Sequence, residues 1–396
     1  MDKYFSRRLE GNLSAALKQF PVCLITGARQ TGKSTLLTHA LKGYQYITLD
    51  DPQMRTIAEK DPELFLNQYA APLIIDEIQY APNLLSYIKI RVDKNRRSYG
   101  QYILTGSQTF QVMEGVSESL AGRIAIFHLY PFSWEEIDVI PGRENSSLNL
   151  NKMLQQMITG FYPEAFINPA VDPSTWYSSY LMTYIQRDVR NIKSITDLGR
   201  FQTFISLLAA RAGQLLKLSE VAKECGITQP TAKSWLSILE STYIVYLLKP
   251  FHNNRTKRLV KTPKIYFIDT GLLCYLLGLT HQDNLLKTFD RGSIFENMVI
   301  MEGIKRLSHD HDFVDCTFYR TASGVEVDLI VKRKGHLEGY EIKFAQTVSK
   351  EMAKGLLLFD KDHPLAVSNV LSLRENSIPL DKLTTAVHWS KVLKEV

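Results

Sequence analysis

The chain has 396 residues, 45% hydrophobic and 22% charged, with 47 basic and 41 acidic side chains and a net charge of +6. At roughly 100–200 residues per domain this predicts two to four domains with an ordinary globular balance. The mild basic excess does not by itself argue for nucleic acid, and the lack of any run of about 18 apolar residues excludes a membrane-spanning helix.

Residues 1–20 read as a short amphipathic helix, and Met1 to Glu10 holds no apolar signal core, so a soluble cytoplasmic protein is expected. Val22-Cys23-Leu24-Ile25 is a short apolar run ending in Thr26-Gly27, as a buried strand does. The residues that follow, Gly27-Ala28-Arg29-Gln30-Thr31-Gly32-Lys33-Ser34 and then Thr35, fit G-x-x-x-x-G-K-[ST] at every fixed position. Glycines let backbone N–H groups turn inward toward phosphate oxygens, and the helix from Lys33 to Leu41 points its positive end at the anion. Lys33 reaches the β- and γ-phosphates, and the Ser34 hydroxyl ligates Mg²⁺.

Tyr46 to Leu49 is a second strand. Leu73-Ile74-Ile75 is a third, ending in Asp76-Glu77. Asp76 suits a metal anchor acting through water, and Glu77 suits the general base that polarises the attacking water. Asn83 to Arg91 fits a helix. A fourth strand, Tyr102-Ile103-Leu104, ends in Thr105-Gly106-Ser107. If it lies between the other two, Thr105 or Ser107 would touch the γ-phosphate or the water. A fifth strand spans Ile124 to Leu129. Arg123, just before it, could stabilise transition-state charge in cis or on a neighbouring subunit of an oligomer; a structural ion pair is the competing reading. No Asn-Lys-x-Asp guanine reader is visible, so adenine is preferred. ATP and Mg²⁺ are the expected cofactors.

Together, Gly27 to Thr35, Ile74-Ile75-Asp76-Glu77, Leu104 to Ser107, Leu120-Ala121-Gly122-Arg123 and Tyr130 to Glu136 resemble the prokaryotic AAA-type ATPases of the archaeal-ATPase kind. The resemblance runs over nearly the whole chain. It implies an α/β fold with a parallel sheet, and an extra strand between the phosphate-loop strand and the Asp76-Glu77 strand.

The polar stretch from Pro141 to Asn149 predicts a linker, giving a first domain over 1–140, a helical and winged-helix segment over 151–285, and a third domain over 286–396. Leu218 to Ile227 reads as a helix stopped by Gly226. Thr228 caps a second helix with Pro230 in its first turn and an apolar stripe of Ala232, Trp235, Leu236, Ile238 and Leu239. That is a helix-turn-helix pattern, followed by the strands of a wing. Gln229, Thr231, Lys233 and Ser234 would face a DNA groove. From Lys249 to Lys264 there are six basic and no acidic residues: Lys249, Arg255, Lys257, Arg258, Lys261 and Lys264. Double-stranded DNA would reward such a patch by counterion release, although winged helices also dock proteins and basic loops are also simply solvated.

Near the C-terminus, Val325 to Val331 alternates, putting Glu326 and Asp328 on one face. Lys332 to His336 suits a hairpin turn, and the next strand carries Glu341-Ile342-Lys343. Asp328, Glu341 and Lys343 would then meet, with two carboxylates to hold Mg²⁺ and a lysine to activate water. The order is similar to the PD-(D/E)XK nuclease core, in which a preceding helix supplies a glutamate; Glu296 is the matching residue. An exposed, inert hairpin face is the competing reading. The cysteines, Cys23, Cys225, Cys274 and Cys316, are far apart in sequence, which predicts reduced thiols rather than a zinc or redox pair.

The expected function is an ATPase whose nucleotide state controls a DNA-associated, nuclease-like output. The alternatives are a signalling or protein-interaction switch with an inert nuclease-like fold, and a remodeller of protein partners.

Overall fold

The computed structural model describes residues 4–107, 119–185, 197–251, 260–310 and 315–392. It divides into two compact units. The first comprises residues 1–132 together with two returning segments, Ser241–Tyr243 and Ser308–Asp310; the second takes up the rest.

The first unit is built on five parallel strands: β1 (Val22–Thr26), β2 (Gln45–Thr48), β3 (Leu73–Asp76), β4 (Tyr102–Gly106) and β5 (Ile124–His128). Their order is β2-β3-β4-β1-β5, so β4 lies between the phosphate-loop strand and the Asp76 strand. Side chains alternate across a strand, and here both faces are covered. Val22, Leu24 and Ile75 pack on one side with Phe65, Leu85 and Ile88 from the helices Pro62–Gln68 and Leu84–Lys94. Cys23, Ile25 and Ile74 pack on the other with Leu9, Leu13, Leu36 and Leu37 from the helices Leu9–Ala16 and Lys33–Ala40. That double burial explains why these strands read as continuous apolar runs. The returning segments are anchored by hydrogen bonds. Tyr243 Oη lies 2.7 Å from both Thr26 Oγ1 and His128 Nδ1, and Ser308 Oγ donates to His128 O at 3.4 Å.

The second unit carries an eight-stranded sheet: β6 (Val245–Pro250), β7 (Lys264–Phe267), β8 (Asp315–Arg320), β9 (Glu326–Arg333), β10 (His336–Ile342), β11 (Leu365–Ser372), β12 (Ile378–Pro379) and β13 (Thr385–His388). Its order is β12-β13-β11-β10-β9-β8-β6-β7. The hairpin β9–β10 turns at Lys334 and Gly335, both with positive φ (48° and 85°), as a two-residue turn requires. Before the sheet come the helices Leu198–Ala209, Leu218–Cys225 and Gln229–Ser241. Gly226 ends the middle one at φ 67°, and Thr228 Oγ1 accepts from Thr231 N at 3.3 Å to start the next. Trp235 packs edge-on against Phe201 and Phe204. Leu215 bridges Lys264, tying the helical part to β7.

Two expected boundaries are built into packed structure. Pro141–Asn149, expected as a linker, is tied down: Ser147 bonds Asp138 through both its N–H and its hydroxyl, at 3.3 and 2.6 Å, and Ser146 and Ser147 are buried. The two compact units part at Phe132/Ser133. Polar composition suggested a loop, but the loop's polar groups are paired internally. The segments on either side of the expected 285/286 boundary are joined by strand pairing. The strands β6 and β8 pair in parallel across that boundary, Lys249 with Thr317 and Pro250 with Phe318, so both segments share one sheet.

Candidate functional site

β1 delivers the chain at Thr26 into Gly27, whose φ is 152°. A Cβ here would lie 2.2 Å from the carbonyl oxygen of Leu129, so only glycine fits. Gln30 (φ 60°) and Gly32 (φ 90°) complete the turn before the helix Lys33–Ala40. The loop is braced internally by Thr31 Oγ1, which donates to Ala28 O at 3.0 Å. It is braced from outside by Arg7, a residue that sequence reading missed. Arg7 is buried, donates to Thr31 O at 2.9 Å and Tyr130 O at 2.8 Å, and stacks over the Phe132 ring at 4.7 Å. Lys33 Nζ donates to Gly27 O and Ala28 O at 3.0 and 2.8 Å. Arg29 is partly buried, and Gln30 and Thr35 are exposed.

Ser34 Oγ donates to both oxygens of Asp76, at 3.3 and 3.1 Å. Tyr46 donates to Asp76 Oδ2 at 2.6 Å, and Thr105 Oγ1 donates to Asp76 Oδ1. Burial, then the bond to Asp76, raises the Tyr46 phenol and keeps it a neutral donor. Tyr46 was missed because it lies on the neighbouring strand, near Asp76 only through the β2–β3 register. Glu77 adopts a left-handed conformation (φ 60°) immediately after β3 and donates its N–H to Thr105 Oγ1 at 3.1 Å. Its carboxylate accepts from Gln79 Nε2 and, at 3.4 Å, from Ser107 Oγ. The Ser34 hydroxyl and the Asp76 carboxylate are oxygen donors of the kind Mg²⁺ takes, and these two residues would hold it.

Thr105 and Ser107 have different partners. Thr105 is fully buried, with its hydroxyl donating to Asp76. Ser107 stands beside Glu77. Arg123 is a correction. Its carbonyl accepts from Val22 N, at the start of β1, whereas the phosphate loop leaves the other end of that strand. At ~3.3 Å per residue a five-residue strand separates them by roughly 16 Å. Its guanidinium is engaged by Asp93, at 2.7 and 3.2 Å, which lowers the Asp93 carboxyl. The structural ion pair therefore wins over a role in cis.

The second unit gathers the other predicted residues. The hairpin and the helix Arg291–Asp310 bring Glu296, Glu326, Asp328, Glu341 and Lys343 together. Lys343 Nζ lies 2.6 Å from Glu341 Oε1 and 3.6 Å from Asp328 Oδ2, and Asp328 Oδ2 also accepts from Ile342 N at 2.8 Å. Burial, then Asp328, pushes the Glu341 carboxyl up to about 8. Burial and Asp328 also raise Glu296 against the opposing pull of Lys264.

Lys264 is the second correction. Assigned by sequence to a DNA-facing loop, it is instead buried, 2% exposed, with its ammonium 2.9 Å from Glu296 Oε1, 2.5 Å from Glu326 Oε1 and 3.6 Å from Asp328 Oδ1. Burial opposes its charge, but Tyr266, Glu296, Asp328 and Glu326 outweigh burial and raise it well above the ordinary lysine value. Lys233 and Lys261 are exposed, whereas Arg255, Lys257 and Arg258 lie outside the described residues. The acidic cluster does not fit Mg²⁺ as it stands. Among the described residues no group of three or more His, Cys, Asp or Glu side chains could hold a metal ion. The cysteines are free, three of them buried and Cys316 partly so. No helix among the described residues is long and apolar enough to cross a membrane.

Three sequence profiles match the chain: an AAA domain over residues 19–138, a domain of unknown function (DUF8612) over 150–283, and a domain of unknown function (DUF4143) over 291–392. The chain is 28% identical over 391 residues to the uncharacterized proteins Rv2008c of Mycobacterium tuberculosis and Mb2031c of Mycobacterium bovis, covering 98% of this chain and 84% of each of them. Among solved structures it is similar to the Walker-type ATPase PABY2304 of Pyrococcus abyssi (TM-score 0.46, 15% identity), over 69% of this chain and 96% of that one. The AAA profile spans the parallel sheet and the phosphate loop of the first unit.

Proposed function

We propose that this chain is an ATP-driven switch: the first unit binds and hydrolyses ATP with Mg²⁺, and its nucleotide state governs a DNA-associated second unit. The observation that carries the reading is the convergence of Lys33, Ser34, Asp76 and Glu77 at the ends of β1 and β3. The amides of residues 27–35 and the Lys33 ammonium hold the polyphosphate. Ser34 and Asp76 hold the metal, which when bound neutralises charge on the β- and γ-oxygens. Tyr46 and Thr105 keep the Asp76 carboxylate in place. The Glu77 carboxylate takes a proton from the attacking water as the water oxygen bonds to the γ-phosphorus and the bond to the β–γ bridging oxygen breaks. Ser107 and Gln79 aim that carboxylate.

The test is phosphate release by the full chain. The unaltered protein turns over ATP; Lys33→Ala abolishes binding and turnover; Glu77→Gln retains ATP without hydrolysing it. Turnover that persists in Lys33→Ala rejects the reading.

For the second unit we propose a winged helix, built from the helices over 198–241 with the hairpin β6–β7, and a restriction-endonuclease-like fold beyond it. Exposed Lys233 and Lys261 supply a cationic surface for duplex DNA; Arg255, Lys257 and Arg258, expected in the same patch, lie outside the described residues. A gel shift that weakens steeply with salt, with Lys233→Ala lowering the salt slope by about 1, supports this; salt-insensitive binding or none rejects it. The burial of Lys264 among the carboxylates favours a catalytically silent nuclease-like fold over a cleaving one. Plasmid cut in the presence of Mg²⁺ and ATP, with the cut lost in Asp328→Ala, would restore the cleaving alternative.

A further inference from the structure

The acidic cluster of the second unit is unusual in what lies at its centre. Three carboxylates from two elements, Glu296 on the helix Arg291–Asp310 and Glu326 and Asp328 on β9, all direct an oxygen at the Lys264 ammonium. Lys264 is the first residue of β7, whose pairing with β6 and bridge to Leu215 fix its direction inward. An ammonium is a compact cation with three donors and no acceptor, so it satisfies the oxygens that a divalent ion would otherwise bind. It does so at 2.5–3.6 Å, whereas Mg²⁺ demands oxygens at about 2.0–2.1 Å in a near-octahedral shell. Both cations cannot occupy one position.

The charge balance points the same way. Among the described residues, three ionised carboxylates (Glu296, Glu326, Asp328) and the proton-holding Glu341 meet Lys264, Lys343 and Arg320, the last pairing with Glu326 at 2.8 Å. Without Lys264 one negative charge stands uncompensated, and two once Glu341 gives up its proton, the charge of one divalent ion. A second and independent sign is Glu341 Oε2, a buried carboxylate oxygen with no hydrogen-bond partner, on a residue only 8% exposed. Such an atom is costly to bury unless a cation comes within reach.

We propose that Lys264 is the resident cation of this cluster, that it keeps divalent metal out, and that removing its ammonium turns the cluster into a divalent-cation site. The inference rests on the nuclease-like reading of the second unit, but its test does not involve nucleotide. Mn²⁺ is titrated into the nucleotide-free full chain carrying Asp76→Asn, which removes the first unit's metal ligand, and bound Mn²⁺ is read by loss of the free-ion electron paramagnetic resonance signal. No stoichiometric site is expected with Lys264 present. Adding Lys264→Ala creates one site, at least tenfold tighter than any residual binding, which Asp328→Asn then removes; Lys264→Arg, which keeps the charge, creates none. The proposal is overturned if the chain with Lys264 intact already binds one Mn²⁺, a measurement that needs no variant at that position to fold. It is equally overturned if folded Lys264→Ala gains no site. Absence of ATP turnover would reject the ATPase reading and leave this result standing.

Discussion

The two polar sites of this chain use the same side-chain types and handle their charge in opposite ways. At the nucleotide site, Lys33 rests on the carbonyls of Gly27 and Ala28, and Asp76 takes hydrogen bonds from the hydroxyls of Ser34, Tyr46 and Thr105. In these contacts the partners are neutral dipoles, which can be given up when a charged ligand arrives. In the second unit, Lys264 and Lys343 rest directly on carboxylates. A ligand there would have to break buried ion pairs, and breaking such a pair by removing one partner costs on the order of 3–5 kcal/mol. A site awaiting a charged ligand stores its own charges on neutral groups, and a site complete in itself pairs them.

That contrast can be broken most decisively at the nucleotide site. Glu77→Gln should cut ATP turnover by about 10²–10⁴-fold while ATP binding, followed by a fluorescent analogue, stays within a few-fold of the original. The matching change in the other site, Lys343→Ala, should leave ATP turnover unaltered; a parallel loss in both would erase the distinction. Next in size, Lys264→Ala should destabilise the second unit by about 3–5 kcal/mol in urea unfolding, because it strands buried carboxylates. Added Mn²⁺ should recover part of that loss by binding the folded state alone. Lys33→Ala, by contrast, removes a side chain seated on carbonyls and should alter unfolding by less than about 1.5 kcal/mol.

A separate effect is on pH dependence. Burial and Asp328 raise the folded Glu341 carboxyl from 4.5 to about 8, so the folded chain holds this proton more tightly than the unfolded one. Stability therefore falls as pH rises between those values, and the full cost is present above 8. Glu341→Gln should flatten that part of a melting-temperature profile. A profile that stays steep assigns the slope to other groups.

The arrangement around the phosphate loop was largely legible because its signals are local. Gly27 to Ser34 is one continuous string, and Asp76-Glu77 ends an apolar strand that periodicity finds. The residues that refine it, Arg7, Tyr46 and Gln79, carry no local signal; they arrive through sheet register and chain reversal. The β9–β10 hairpin was legible for the same reason, since alternation and a Lys-Gly turn are short-range features. Lys264 was misread because proximity in sequence grouped it with Lys249 to Lys261, while its neighbours in space are set by β7 pairing and lie 32 to 64 positions further on. Arg123 was misread because a sequence does not say at which end of a strand a flanking residue meets the sheet's ligand. The polar composition of Pro141–Asn149 could not report that Ser147 pairs with Asp138.

The hydrogen bonds from Tyr243 to Thr26 and His128 carry a consequence for biosynthesis. Phe132 does not close the first unit, because Ser241–Tyr243 and Ser308–Asp310 return to it. A ribosome that has released the phosphate loop and all five strands has still not released the tyrosine that braces the residue just before the loop. Nascent chains stalled between Phe132 and Tyr243 should hold nucleotide less firmly than the finished protein, so ATP capture matures only late in translation.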